Sequence, residues 1–119
     1  EETAVALRRA VEAAKWTVLG GYDLGETLAS KGFPQSERCR NLHICNAKHA
    51  NAVLQGDPRV ALFMPCPVLI FTEGGKARIA AMLPGATLPK AMPEMDAESV
   101  AYVTSIDDEL RAILDAAVS

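Results

Sequence analysis

Apolar positions along the chain change period several times, and each change predicts an element. Ala4, Leu7, Val11 and Ala14 recur at spacings of 3, 4 and 3, which is one face of a helix over 4–15, with Thr3 as its cap. Trp16 to Tyr22 carries enough β-branched and aromatic residues for a strand, weakened toward its end by Gly20-Gly21. Asp23-Leu24-Gly25-Glu26 has the acceptor and return carboxylate of a capping box. A short helix should follow to about Lys31, closed by Gly32 and Pro34. Arg40 to Cys45 predicts a second strand. Asn46 then caps a helix over 46–55 with Ala50, Val53 and Leu54 inward, stopped by a left-handed Gly56 and by Pro58.

Val60 to Met64 is apolar without a decisive period. Pro67 to Thr72 is apolar on both faces, which suits a central strand. Glu73-Gly74-Gly75-Lys76 predicts a two-residue hairpin turn, since paired glycines supply the positive φ that primed turns need, and Arg78 to Leu83 returns antiparallel. Three prolines between Pro84 and Pro93 predict a loop. Asp96 caps a long helix over 97–118 with Val103, Ile106, Leu110, Ile113 and Ala117 as its apolar stripe. This order predicts an α+β fold: a two-layer sandwich of one mostly antiparallel sheet with helices on one face.

The 119 residues are enough for one core, so we expect a single α+β domain over 1–119. Net charge is −3 and basic residues never form a run, which disfavours nucleic acid as a partner. No stretch approaches the roughly 20 apolar residues of a membrane span. The odd count of three cysteines leaves a thiol unpaired and points to a reducing, cytoplasmic setting. The chain starts at Glu1 inside a helical pattern, so a strand, tag or signal peptide upstream fits the expectation equally.

Side chains alternate along the second strand, with Arg40, Leu42 and Ile44 on one face and Cys39, Asn41, His43 and Cys45 on the other. If Leu42 and Ile44 enter the core, the other face lies at a cleft or a homodimer interface. Alternatively, His43 is simply an exposed strand residue and Cys39 an incidental one. Cys45 precedes a helix N-terminus, where unpaired amides favour a thiolate and should lower its pKa. Pro65 and Pro67 flank Cys66 and stiffen the strand entry around it.

With the two strands antiparallel, the two thiols should share a small pocket within about 10 Å, reduced, Cys45 reacting first. His43, Cys45, His49 and Cys66 could supply nitrogen and sulfur to zinc or copper(I), although no paired ligand spacing supports it; His49 equally reads as a surface residue. Met82, Met92 and Met95 are a weaker soft-metal hint. No cofactor is expected: haem, phosphate-loop and serine-hydrolase motifs are missing. Asp107-Asp108-Glu109 fans out round a helix and reads as a solvated face.

Cys45-Asn46, Ala50, Leu54, Asp57-Pro58, Pro65-Cys66, Val68, Ile70, Gly75 and Pro84 resemble the core of the domain of unknown function 302 family. The likeness runs from Cys39 to Gly85, with compatible hydrophobic spacing outside it. It implies a small α+β domain that forms dimers, with a further strand before the first helix; it implies no settled activity. Ala47 stands where the family usually has proline, and His43 and His49 where small or apolar residues are more frequent. A histidine-dependent function would therefore be peculiar to this chain.

The favoured function is a homodimeric ligand-binding or accessory module whose cleft holds a small molecule against Cys45, Asn46, Cys66 and His43. One alternative is a thiol-redox or sulfur-transfer enzyme with Cys45 as nucleophile and Cys66 as resolving thiol. The other is a metal-holding protein using the two histidines.

Overall fold

Alternation along two neighbouring strands decides the architecture. A computed structural model of the chain describes residues 2–118. Its sheet contains β1 (Thr17–Asp23), β2 (Cys39–Cys45), β3 (Cys66–Glu73) and β4 (Lys76–Ala81), in the order β1-β2-β3-β4 with every neighbouring pair antiparallel. Leu42 and Ile44 pair with Val68 and Cys66, so one side of the sheet carries the buried Leu42, Ile44, Val68 and Ile70. The helices α1 (Glu2–Ala13) and α5 (Ala97–Val118) close that side, bringing Leu7 and Val11 against Ile106, Leu110 and Ile113. The expected α+β fold is what forms, with burial of this shared apolar face as its driving term.

The opposite side carries Tyr22, Asn41, His43, Leu69 and Phe71 and holds no fully buried residue. Tyr22 and His43 meet edge-to-face there at 5.8 Å. Asn41 Oδ1 is buried without a hydrogen-bond partner among the described residues, while its Nδ2 donates to the Tyr22 hydroxyl at 3.4 Å.

Several local signals form as read. Asp23 accepts from the Glu26 N–H at 2.9 Å and starts α2 (Leu24–Ser30). Asn46 accepts from the His49 N–H at 3.1 Å and starts α3 (Ala47–Gly56). Gly74 and Gly75 both take positive φ, 59° and 82°, and join β3 to β4 in a primed turn. Asp96 accepts from the Ser99 N–H at 2.7 Å and starts α5.

Others differ. The first helix begins at Glu2, so Thr3 lies inside it and caps nothing. It also ends early, because Lys15 turns to φ 64° and Trp16 N–H bonds back to Val11 C=O at 2.9 Å. That closure folds Trp16 into the core rather than into β1. Gly56 does not go left-handed. Pro58 instead forces Asp57 extended, at φ −158°, and so ends α3. Asp57 then caps a 3-10 helix over Pro58–Phe63, the segment of undecided period, and Arg59 bridges Asp57 and Glu94 at 2.7 Å each. Leu54, expected inward, is exposed.

The largest correction is the proline-rich stretch, which is helical: α4 spans Pro84–Ala91. Pro84 occupies the first turn, where a missing N–H costs nothing. Leu88 and Met92 then join Val60 and Val103 in a second apolar cluster that fastens α4 and the 3-10 helix to α5.

Candidate functional site

β2 ends at Cys45 and β3 begins at Cys66, and because the strands are antiparallel these ends lie side by side, with Ile44 directly opposite Cys66. A cavity of about 340 Å³ occupies this end of the sheet. His43, Cys45, Asn46, His49 and Cys66 all line it, together with Trp16. Sequence reading grouped Cys45, Asn46, Cys66 and His43 as ligand-binding candidates and held His49 only as a weak metal candidate; all five line this cavity. Its remaining walls come from α3, the 3-10 helix, α4 and α5, and it reaches the surface at the exposed Leu62 and Met82.

Cys45 does not behave as its position before a helix suggests. Burial pushes the Cys45 thiol up, not down. Asn46 already spends its Oδ1 on the first turn of α3, and the apolar wall desolvates a thiolate. Cys66 is pushed up to about 11, first by burial and then by the charges of Cys45 and Asp107. The expectation of an activated Cys45 is thus reversed. All three cysteines are free.

His49 is not a surface residue. Its Nδ1 meets the Tyr102 hydroxyl at 2.7 Å and its Nε2 meets Glu109 Oε2 at 2.6 Å. Trp16 Nε1 donates to the other oxygen of Glu109 at 3.3 Å. With a carboxylate accepting from Nε2–H, Nδ1 either accepts from the phenol O–H or, in the imidazolium, donates to the phenol oxygen, and both ring nitrogens are committed. That leaves no lone pair for a metal or for Cys45. The soft-metal methionines separate as well: Met92 and Met95 belong to the second apolar cluster, whereas Met82 sits on the cavity rim.

The acidic triplet on α5 was misread as a solvated face. Asp107 is only 6% exposed and its Oδ1 accepts from the Gly85 N–H at 2.8 Å. Glu109 anchors His49 and Trp16. Only Asp108 is exposed. The signal was present in the spacing. Asp107 lies four residues after Val103 and three before Leu110, inside the apolar stripe, and Tyr102 and Glu109 are two turns apart on one face.

Comparison with known proteins agrees with this architecture. The family model described as domain of unknown function DUF302 matches residues 1–117. The crystal structure of an uncharacterised conserved DUF302 protein from Bacillus stearothermophilus is similar at 28% identity and a TM-score of 0.89, over 97% of this chain and 88% of that one. No curated protein matches the chain.

Proposed function

The chain belongs to the DUF302 family, and from that premise we propose that it is a homodimeric module that binds a small molecule in the cavity beside Cys45 and Cys66. The observation that carries this reading is the cavity itself. Its volume of about 340 Å³ falls in the range of small-molecule sites, ~300–1,000 Å³, and apolar side chains dominate its lining. The polar groups within it are few, and two are fixed: Asn46 is held by its cap, and His49 by Tyr102 and Glu109.

The dimer part rests on the outer sheet side, where Tyr22, Leu69 and Phe71 stay accessible. A second copy covering that side would bury the apolar rings. Thiol redox or sulfur transfer is the second reading, supported by the adjacency of Cys45 and Cys66 and weakened by the raised pKa of both.

Trp16 is the chain's single tryptophan and lines the cavity, so its emission reports occupancy. A library of small molecules should contain compounds that quench it saturably. A library that leaves it unchanged sinks the binding reading. Light scattering should give a dimer at micromolar concentration and a monomer for Leu69→Glu. A monomeric native chain removes the dimer part.

A further inference from the structure

Sulfur is concentrated around this cavity. Cys45, Met64, Cys66 and Met82 line it, four of the seven sulfur-bearing side chains in the chain, and the rings of Trp16 and Phe63 join them. Thiols, thioethers and π faces are polarisable, and sulfur contacts aromatic edges favourably. Fixed charge is missing from the same surface: among the described residues no Lys, Arg, Asp or Glu lines it, and of its two histidines His49 has both ring nitrogens engaged. Burial also keeps the Cys66 thiol protonated at neutral pH. The nearest carboxylates are already engaged, Glu109 with His49 and Trp16, and Asp107 with Gly85. An ionised ligand entering here would give up its hydration shell and find no Lys, Arg, Asp or Glu on the lining, with the His43 imidazole as the one base not already engaged. A neutral aromatic ring loses little on leaving water and gains close contact with sulfur and with the two indole and phenyl faces.

We propose, resting on the ligand-binding reading above, that the cavity selects neutral aromatic molecules and excludes ionised ones of the same shape.

The test uses the native chain and two probes of one skeleton, N-phenylnaphthylamine and its sulfonate, anilinonaphthalene sulfonate. The neutral probe should quench Trp16 and bind at least about tenfold tighter than the sulfonate. It should also slow alkylation of Cys45 and Cys66. Ala50→Phe, which fills the cavity from α3, should weaken the neutral probe by about tenfold or more. Where that variant fails to fold, protection of the two thiols in the native chain decides. A sulfonate that binds as tightly as the neutral probe overturns the ligand class while leaving small-molecule binding intact. A neutral probe that binds without protecting either thiol lies elsewhere and also overturns the proposal. If neither probe quenches Trp16 and neither protects a thiol, this proposal and the binding reading on which it rests both fall.

Discussion

Asp107 on α5 accepts a hydrogen bond from the backbone N–H of Gly85 at 2.8 Å, across 22 residues of sequence. The residue before α4, Leu83, offers no side-chain cap, so this buried carboxylate serves as the missing one from another helix. The positive end of α4 in turn accommodates its charge.

Asp107→Ala should therefore leave the Gly85 N–H buried and unpaired, at a cost of about 2–3 kcal/mol. Asp107→Asn keeps an acceptor and should cost less. Gly85→Ala should be at least as damaging as Asp107→Ala, because a Cβ there would stand 2.6 Å from Asp107 Oδ2 and 2.7 Å from Thr104 Cα. Urea denaturation measures all three, and unshifted midpoints for Asp107→Ala and Gly85→Ala would refute the cap.

The Tyr102–His49–Glu109 chain ties α3 to α5 beside the cavity. Glu109→Ala removes the acceptor of both His49 and Trp16 and should cost about 1–3 kcal/mol, with a shift in Trp16 emission. Tyr102→Phe should cost about 1 kcal/mol. In a double-mutant cycle the two should couple, since both act on one imidazole. Strict additivity would show that His49 does not link them.

Cys45 should alkylate faster than Cys66 in the folded chain. Both thiols are raised by burial, but Cys66 carries in addition the repulsion of Cys45 and Asp107. Timed iodoacetamide labelling at pH 8, read by peptide mass spectrometry in a Cys39→Ser background, checks the order. Cys66 labelling first would contradict it.

Stability should fall on the alkaline side. The folded pKa of Cys66, about 11, lies above the ordinary 9.0, so between these values the unfolded chain releases a proton that the folded one keeps. The contribution is intact below pH 9 and is lost as pH rises toward 11, roughly 2–3 kcal/mol in all. Cys66→Ala should flatten this limb of the urea midpoint against pH. A limb of equal slope in the variant would assign it to other groups.

Hairpin, strand alternation and three helix caps were legible because each depends on residues a few positions apart. Gly74-Gly75 needs only positive φ at two neighbours, and Asp23, Asn46 and Asp96 each need only the amide three residues on. Leu42 and Ile44 alternate with Asn41 and His43, which already separated a core face from an accessible one. Cys45 and Cys66 were placed together on the expectation that their strands pair antiparallel rather than parallel, and β2 and β3 do.

The helix of Pro84–Ala91, the burial of Asp107 and the wall built by His49 depend instead on groups brought in from elsewhere in the chain. Local rules read prolines as a break and carboxylates as solvated, and both readings hold only while no distant partner is present. Asp107 supplies α4 with its acceptor, while Glu109 and Tyr102 supply His49 with both of its partners. The ionisation of Cys45 was decided in the same way: its sequence position predicts a thiolate, but the apolar cavity around it desolvates one. The amino-acid sequence by itself thus determined the four strands, the hairpin, the caps of three helices and which face of the sheet is apolar, because those are short-range properties of the backbone. Only the tertiary structure decided which charges are buried, which helix is capped from afar and how acidic the thiols are. Those are properties of solvent exclusion, which exists only once the chain has closed on itself.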